Sequence, residues 1–148
     1  MDTGWYVAEI VEEITVQDDP RNVIHQNLVL VRANSPDEAY EKAIKIGEGG
    51  ETSYDNPSGK TVRIRFRGLS KLEKLEEELE DGAELTFRYK VGVSEEELRS
   101  MVRSRERLAV FRPPEQAEGP DYSSREVLAM LERDYGITRL EADPSNKT

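Results

Sequence analysis

Histidine is the side chain most often used for proton transfer near neutral pH, and this chain contains only one, His25. A Ser-His-Asp triad or a histidine-ligated metal site would have to use it. It stands in an Ile-His-Gln-Asn context beside a strongly apolar segment, which is more typical of a structural histidine. Because no nucleophile, base and orienting group can be named together, the sequence predicts no catalytic residues and no enzymatic activity.

Acidic residues and glycines can form metal or phosphate sites, but their spacing here favours neither. The acidic run in residues 76–81 lacks the Asp-x-Asp-x-Asp-Gly spacing of a calcium loop and is typical of a solvated helix face. Gly47, Gly49 and Gly50 follow a predicted helix, whereas phosphate groups bind at helix N-termini. The absence of cysteine excludes thiolate nucleophiles and cysteine-ligated zinc. The sequence therefore predicts no metal site and no cofactor.

Basic residues form the strongest candidate for a binding surface. Arg63, Arg65 and Arg67 alternate along one predicted strand and therefore share one of its faces. A neighbouring strand would extend this surface, and a later helix carries a second basic run. The candidate residues in these two segments are Arg88, Lys90, Arg99, Arg103 and Arg107. Such a surface could receive an acidic protein or a phosphate backbone. The alternative is that the arginines pair with glutamates on adjacent strands.

The charge of the whole chain argues against nonspecific binding to nucleic acid or to an anionic membrane. The net charge is −10; residues 1–59 carry 12 acidic and 4 basic side chains, whereas residues 60–148 carry 19 and 17. RNA-binding sheets place aromatic side chains among the basic ones for base stacking, and the outward positions of the predicted strand offer none. Nucleic-acid binding is therefore kept as the alternative to protein binding.

An amphipathic segment near the C-terminus is a second candidate for an interaction. Its apolar face consists of Val127, Leu128, Leu131 and Tyr135. Residues 112–122 precede it, are rich in proline and glycine, and are predicted to be a linker. The helix could dock on its own sheet or on another subunit, and the sequence does not separate these two arrangements.

The elements that position these residues begin with two strands. Residues 5–16 alternate between apolar and polar side chains, and residues 23–33 follow after an Asp-Asp-Pro turn, so the pair is predicted to form an antiparallel hairpin. Residues 28–31 form an unbroken apolar run of strand-forming side chains. This run predicts that both faces of the second strand are covered.

A helix is predicted directly after the second strand. Ser35 occupies the N-cap, Pro36 the first helical position and Glu38 the third, which is the pattern of a capping box. Apolar side chains then recur on one helical face over residues 36–46. Gly47 is predicted to end the helix in the left-handed conformation.

The second half of the chain completes the predicted order of elements. It contains a strand at residues 61–67, a helix at 70–82, a strand at 84–93, a helix from 94 to about 110, and a helix at 124–135 after the linker. The order β-β-α-β-α-β-α, linker, α predicts an α+β two-layer sandwich, with a mainly antiparallel sheet and helices on one face. The predicted division is an α+β domain at 1–111, the linker at 112–122, the C-terminal helix at 123–140 and a tail at 141–148.

The sequence also bounds where the protein works. Its first residues show no basic and apolar secretory signal, and no apolar run approaches the roughly 20 residues needed to span a bilayer. We therefore expect a cytoplasmic protein without a membrane partner. The predicted function is a non-enzymatic interaction module that forms a homodimer or binds another protein.

Four segments resemble a bacterial family of small uncharacterised proteins. They are Trp5-Tyr6-Val7-Ala8, the Asn-Leu-Val-Leu-Val strand at 27–31, the Ser-Pro-Asp-Glu-Ala-Tyr-Glu-Lys-Ala helix at 35–43, and the basic segment ending in Gly-Leu at 63–69. The resemblance extends from residue 5 to about 90. It implies a shared fold, and because the family carries no established activity, it implies no catalytic residues.

Overall fold

The computed structural model of the chain describes residues 3–112 and 118–136. Four strands and three α-helices follow in order, with two single turns of 3-10 helix at Arg105–Arg107 and Ala109–Phe111. The elements are β1 (Gly4–Val16), β2 (Val23–Ala33), α1 (Pro36–Gly49), β3 (Thr52–Asp55), β4 (Thr61–Lys74), α2 (Glu95–Met101) and α3 (Arg125–Tyr135).

The strands form one antiparallel sheet in the order β2-β1-β4-β3. The pairing of β1 with β2 runs without interruption from Gly4 opposite Ala33 to Ile14 opposite Val23. The pairing of β1 with β4 shifts register twice, between Glu9 and Ile10 and between Val11 and Glu12. The expected α+β class with a mainly antiparallel sheet is thus confirmed.

Alternate residues of β1 form the core on the side of the sheet that faces α1. One buried cluster joins the sheet to the small side chains of the helix and consists of Tyr6, Ala8, Val31, Ala33, Ala39 and Ala43. A second cluster lies at the other end of β1 and consists of Ile14, Val16 and Val62. Alanines on α1 let the helix backbone approach the strands closely, so the sheet face beneath it is dry.

The predicted start of α1 is confirmed, whereas its predicted end is wrong. The Ser35 side chain accepts a hydrogen bond from the Glu38 amide at 3.2 Å, and Pro36 follows it. The helix continues through Gly47 to Gly49, and its C-cap, Gly50, has a right-handed backbone with φ of −84°. Gly47 is buried against the ring of Phe66. This glycine therefore permits close packing of α1 on β4 and does not terminate the helix.

The helix predicted at 70–82 is absent, because β4 continues as a strand to Lys74. Leu72 packs against the first core cluster, and the Leu75 amide donates a hydrogen bond to the Trp5 carbonyl at 2.8 Å. The capping pattern and leucine spacing were helical, but the 13-residue strand β1 offers a hydrogen-bonding partner along the whole of β4. A continuous ladder satisfies more backbone groups than a short isolated helix would.

The strand predicted at 84–93 is also absent, and this segment has irregular backbone with mostly exposed side chains. Its alternating sequence is not sufficient for a strand, since a strand also needs a partner edge for its backbone hydrogen bonds. β4 pairs with β1 on one side and, over residues 61–64 only, with β3 on the other; residues 84–93 pair with neither the rest of that side nor the β2 edge. Arg88 and Lys90 therefore do not extend a strand surface beside β4, which corrects the expectation for them.

The helices of the second half differ in how well they were predicted. α2 begins as expected at Ser94, whose side chain accepts from the Glu97 amide at 3.2 Å, but it ends at Met101 and does not reach residue 110. α3 is confirmed: Ser124 caps its start and Gly136 ends it with φ of 65°. The predicted tail at 141–148 lies outside the described residues.

The chain divides into two compact units. The first contains the sheet and α1 and comprises Met1–Tyr89 with Gly119–Tyr122; the second comprises Lys90–Glu118 with Ser123–Thr148. Among the helices of residues 3–112 and 118–136, none has both the length and the apolar character needed to cross a membrane.

Candidate interaction surface

The face of the sheet opposite α1, here called the outer face, is built from the remaining alternate residues of β1 and β2. Residues directly opposite each other in an antiparallel pair lie on the same face. Leu30 lies opposite Val7, Leu28 opposite Glu9, and Ile24 opposite Glu13. The outer face therefore carries a row of large apolar side chains along β2.

These apolar side chains are open to solvent. Ile24, Leu28 and Leu30 are 50%, 48% and 41% exposed, whereas Val31, on the α1 side of the same strand, is buried. The expectation that both faces of residues 28–31 are covered is therefore wrong. A run of apolar residues shows that a strand is apolar on both sides, but it does not show which side another element covers. We call Ile24, Leu28 and Leu30 the apolar stripe.

β2 also forms one edge of the sheet. Within the described part of the chain its only strand partner is β1. Residues 23–31 contain no Asp, Glu, Lys, Arg or Pro, the residues with which edge strands are usually protected. One end of the edge is blocked, since Lys42 Nζ donates a hydrogen bond to the Arg32 carbonyl at 2.7 Å. The other edge of the sheet, β3, has only four residues.

The structure brings the three strand arginines together on the outer face, as the alternation predicted. Arg63 lies opposite Thr15 and Arg65 opposite Glu13 across the β1–β4 ladder. Arg67 donates a hydrogen bond to Glu13 Oε1 at 3.1 Å, so it is paired within the sheet. Arg63 and Arg65 are exposed and form no ion pair with any residue in the described ranges.

Glu13 is the acidic centre of this group. Its carboxylate accepts a hydrogen bond from Asn22 Nδ2 at 2.8 Å as well as the one from Arg67. The Asn22 hydrogen bond, and then the charges of Arg67 and Arg65, hold the pKa of Glu13 below its usual range. Glu13 therefore offsets part of the basic charge, and the arginines form a mixed surface instead of a purely cationic one.

The other predicted basic residues lie on different elements. Arg88 and Lys90 are exposed in irregular backbone, the first in the sheet unit and the second in the other unit. Arg99 pairs with Glu95 along α2 at 3.3 Å, Arg103 is exposed after α2, and Arg107 lies in a 3-10 turn. These residues belong to separate local structures, and among the predicted basic residues only the three strand arginines share one face of the sheet.

The apolar face predicted for the C-terminal helix is described only in part. Val127 is exposed and Leu128 is half-buried on α3. The side chains of Leu131 and Tyr135 lie outside the described part of the structure, although both residues fall within the helix. The choice between docking in cis and docking in trans therefore stays a prediction.

His25 contacts a segment that sequence reasoning assigned to the linker. Its ring meets the ring of Tyr122 edge-on, with centroids 5.2 Å apart, and its Nε2 lies 3.2 Å from the Tyr122 hydroxyl. The Tyr54 hydroxyl donates to the Tyr122 carbonyl, and Asn56 Nδ2 donates to the Asp121 carbonyl at 2.9 Å. Burial raises the pKa of the Tyr54 hydroxyl. These contacts give His25 a packing role.

The segment Gly119–Tyr122 is thereby held on the sheet unit as a short clip. Pro120 is buried, and Tyr122 packs against the second core cluster. The sequence prediction missed this clip; the signal that could have indicated it is the proline and aromatic residue within an otherwise polar, glycine-containing stretch. In residues 3–112 and 118–136, no group of three or more His, Asp or Glu side chains is placed to hold a metal ion.

Comparison with known protein families finds a match for most of the sheet unit. Residues 5–87 match the model of a family described as a domain of unknown function (DUF4288). The chain belongs to this family. The matched segment contains β1, β2, α1, β3 and β4, which confirms the resemblance noted for residues 5 to about 90. No curated protein and no solved structure matches the chain.

The location of the candidate surfaces relative to the DUF4288 domain separates them into two groups. The apolar stripe, the β2 edge and the three strand arginines all lie inside residues 5–87. The helices α2 and α3, with their basic and apolar side chains, lie outside. A function of the DUF4288 domain itself is therefore best sought on the outer face and edge of the sheet.

Proposed function

We propose that this DUF4288 protein is a non-enzymatic interaction module that self-associates through strand β2, which is exposed both on the outer face and at the edge of its sheet. The observation that carries the proposal is the apolar stripe, three large side chains that stand about half exposed on one face of an edge strand. Single exposed apolar side chains are common on proteins, but an apolar row interrupted only by Gln26, together with an edge strand, is typical of a contact surface.

A second copy of the chain can occupy this surface because residues 23–31 lack the negative charge of the rest of the chain. Each chain has a net charge of −10, so most contacts between two copies would bring like charges together. Residues 23–31 carry no acidic or basic side chain apart from His25. Two copies can therefore meet along β2 and bury the apolar stripe without opposing carboxylates, and the desolvated area stabilises the contact.

Replacing Leu28 with aspartate tests the proposal. We expect wild-type protein to have the mass of a dimer by light scattering behind size exclusion, and the Leu28→Asp protein to have the mass of a monomer. An uncompensated carboxylate in the centre of an apolar interface costs several kcal/mol of association energy. Leu28 is about half exposed, so the variant should retain the wild-type circular dichroism spectrum.

Ser53→Asp is the matched control, because Ser53 is exposed on the opposite edge strand and lies opposite Arg63. It adds the same charge and should leave the dimer intact. A wild-type protein that stays monomeric over the whole concentration range would contradict the proposal. So would a Leu28→Asp protein that is dimeric to the same extent as wild type.

Nucleic-acid binding is the second candidate, and the exposure of Arg63 and Arg65 without ion pairs in the described ranges is the observation that favours it. It predicts binding to a short RNA or DNA probe that weakens steeply with salt and is lost when both arginines become glutamate. Self-association through the apolar stripe predicts a mass that salt changes little. Absorbance at nucleic-acid wavelengths, recorded in the same chromatography, distinguishes the two.

Three finer expectations belong to the same proposal. The packing of α1 on one face of the sheet supports the two-layer arrangement, and the protein is proposed to work in the cytoplasm of a bacterium. The apolar face of α3 is proposed as an additional contact for a subunit or a protein partner. Substituting Val127 and Leu131 with aspartate would then weaken the assembly, whereas an unchanged mass would confine the contact to the sheet unit.

A further inference from the structure

We infer that two copies join edge to edge, with β2 of each chain pairing antiparallel about a two-fold axis at Asn27. The two four-stranded sheets then become one continuous sheet of eight strands. This inference rests on the proposed self-association and specifies its geometry. It differs from an arrangement in which two outer faces stack on each other and cover the apolar stripe directly.

The β2 edge is long and regular, and no described strand other than β1 pairs with it. β2 has 11 residues, and its register with β1 contains no irregularity. Bulges, prolines, lysines and inward charges normally prevent edge strands from pairing, and residues 23–31 have none of these. An open row of backbone donors and acceptors is the feature through which edge strands recruit another strand.

The hydrogen bonds of Trp5 and Arg32 show which residues of β2 present their backbone groups to this edge. The Trp5 carbonyl accepts its hydrogen bond from the Leu75 amide on the β4 side, so Trp5 and its partner Arg32 are a non-hydrogen-bonded pair. The Arg32 carbonyl accordingly takes its hydrogen bond from Lys42. Since orientation alternates along a strand, the residues of β2 whose N–H and C=O groups face outward are Ile24, Gln26, Leu28, Leu30 and Arg32.

The same alternation limits the register in which the β2 strands of two copies can pair. Outward-facing residues must pair with outward-facing residues, so the two-fold axis passes through a residue and not between two residues. With the axis at Asn27, Ile24 lies opposite Leu30 of the second copy, and Gln26 opposite Leu28 of the second copy. Moving the axis to Leu28 would place Ile24 opposite the charged Arg32. Moving it to Gln26 would place Leu30 opposite Asn22, beyond the start of β2.

The Asn27 register is therefore the one that opposes apolar side chains at both ends of the contact. It places Ile24 of each copy opposite Leu30 of the other. The Arg32 carbonyl, which accepts a hydrogen bond from Lys42, then lies outside the paired segment. It also places the uncharged segment of one chain against the uncharged segment of the other, which two chains of net charge −10 require.

Single-cysteine variants test this geometry directly, because the chain contains no cysteine. Asn27 would face its own copy in a non-hydrogen-bonded pair, where Cα atoms are about 4.5 Å apart. This separation lies within the range that a disulfide spans. Under mild oxidation we expect Asn27→Cys to form a covalent dimer at least about tenfold faster than freely colliding chains, because the pair is held together.

Ile24→Cys is the matched control. In the Asn27 register the two copies of residue 24 are six residues apart along the ladder, roughly 20 Å, so they cannot form a disulfide. Asn27 also donates a hydrogen bond to Glu12 at 3.1 Å, and its substitution carries some risk to the fold. The double variant Ile24→Cys, Leu30→Cys avoids this risk, since both positions are exposed. It should give a dimer joined by two disulfides.

The outcomes separate this inference from the proposed function. A wild-type protein that is monomeric overturns both. A dimer that persists by light scattering, but in which neither Asn27→Cys nor the double variant cross-links faster than Ile24→Cys, overturns the edge pairing and leaves self-association standing. Rapid cross-linking of Ile24→Cys alone would indicate stacked outer faces, because Asn27 lies on the α1 side of the sheet and would then be out of reach.

Discussion

Replacing Ile14 with alanine is expected to lower the free energy of unfolding by about 2–5 kcal/mol, the range for removing a large aliphatic side chain from a packed core. Ile14 is 1% exposed and forms a buried cluster with Val16 and Val62. Tyr54 and Tyr122 pack against the same cluster, so little space exists into which the site can collapse. Urea denaturation measures the effect as a lower midpoint with an unchanged slope.

Thr15→Ser provides the control for this prediction. Thr15 is the next residue of β1, but its side chain is exposed on the outer face. Its substitution should change the stability by no more than about 0.5 kcal/mol, as is usual at surface positions. Equal losses in the two variants would mean that the assigned inward and outward faces of β1 are wrong.

Replacing Gly47 with alanine is expected to destabilise the protein by about 1–2 kcal/mol, although alanine is the better helix former. An alanine Cβ at this position would lie 2.5 Å from Cδ2 and 2.7 Å from Cζ of Phe66. Overpacking of this kind costs about 1–3 kcal/mol, which outweighs the gain of up to about 1 kcal/mol in helix propensity. Thermal or urea unfolding followed by circular dichroism measures the net change.

Gly49→Ala separates the two contributions. Gly49 lies in the same helix, and a Cβ added there would meet no atom within 4 Å. This variant should be neutral or slightly stabilised. The double variant Gly47→Ala, Phe66→Leu should lose less than the sum of its single changes, since the smaller side chain relieves the clash. If Gly47→Ala were as stable as Gly49→Ala, the close packing of α1 on β4 would be refuted.

The apolar stripe and the clip have different consequences for the protein. The Gly119–Tyr122 clip packs on the sheet near His25, Tyr54 and Asn56. That part of the α1-side face is therefore covered by a segment of the same chain. The apolar stripe remains about half exposed, although Val7 and Glu9, which lie opposite Leu30 and Leu28 on the same face, are buried. The contrast within one sheet unit is the reason that the outer face, and not the region around the single histidine, carries the functional proposal.

Features encoded by neighbouring residues were predictable from the sequence. The alternation of residues 5–16, the capping residues Ser35 and Ser124, and the left-handed Gly136 all depend on contacts within a few positions of the chain. The shared face of the three strand arginines follows from the two-residue repeat of a strand in the same way. These signals sufficed for the α+β class.

Features that depend on distant partners were not predictable. Residues 70–82 carry a helical pattern, yet they adopt a strand up to Lys74 because β1 is long enough to pair with them. Residues 84–93 carry a strand pattern but pair with no strand of the described residues. Gly47 follows an apparent helix end in the sequence, but its role is decided by the Phe66 ring that approaches from β4. In each case the presence or absence of a distant partner outweighed the local propensity of the segment.

The sequence by itself therefore determined the β1–β2 hairpin, the N-caps of the helices, the arginine face and the apolar character of β2. Only the tertiary structure decided that β2 lies at the edge of the sheet and that α1 covers just one of its faces. Leu28, Val29, Leu30 and Val31 form the same apolar run whether one face or both are buried. Which of them meet water depends on where the other elements pack, and this exposure is what makes the edge available to a second copy.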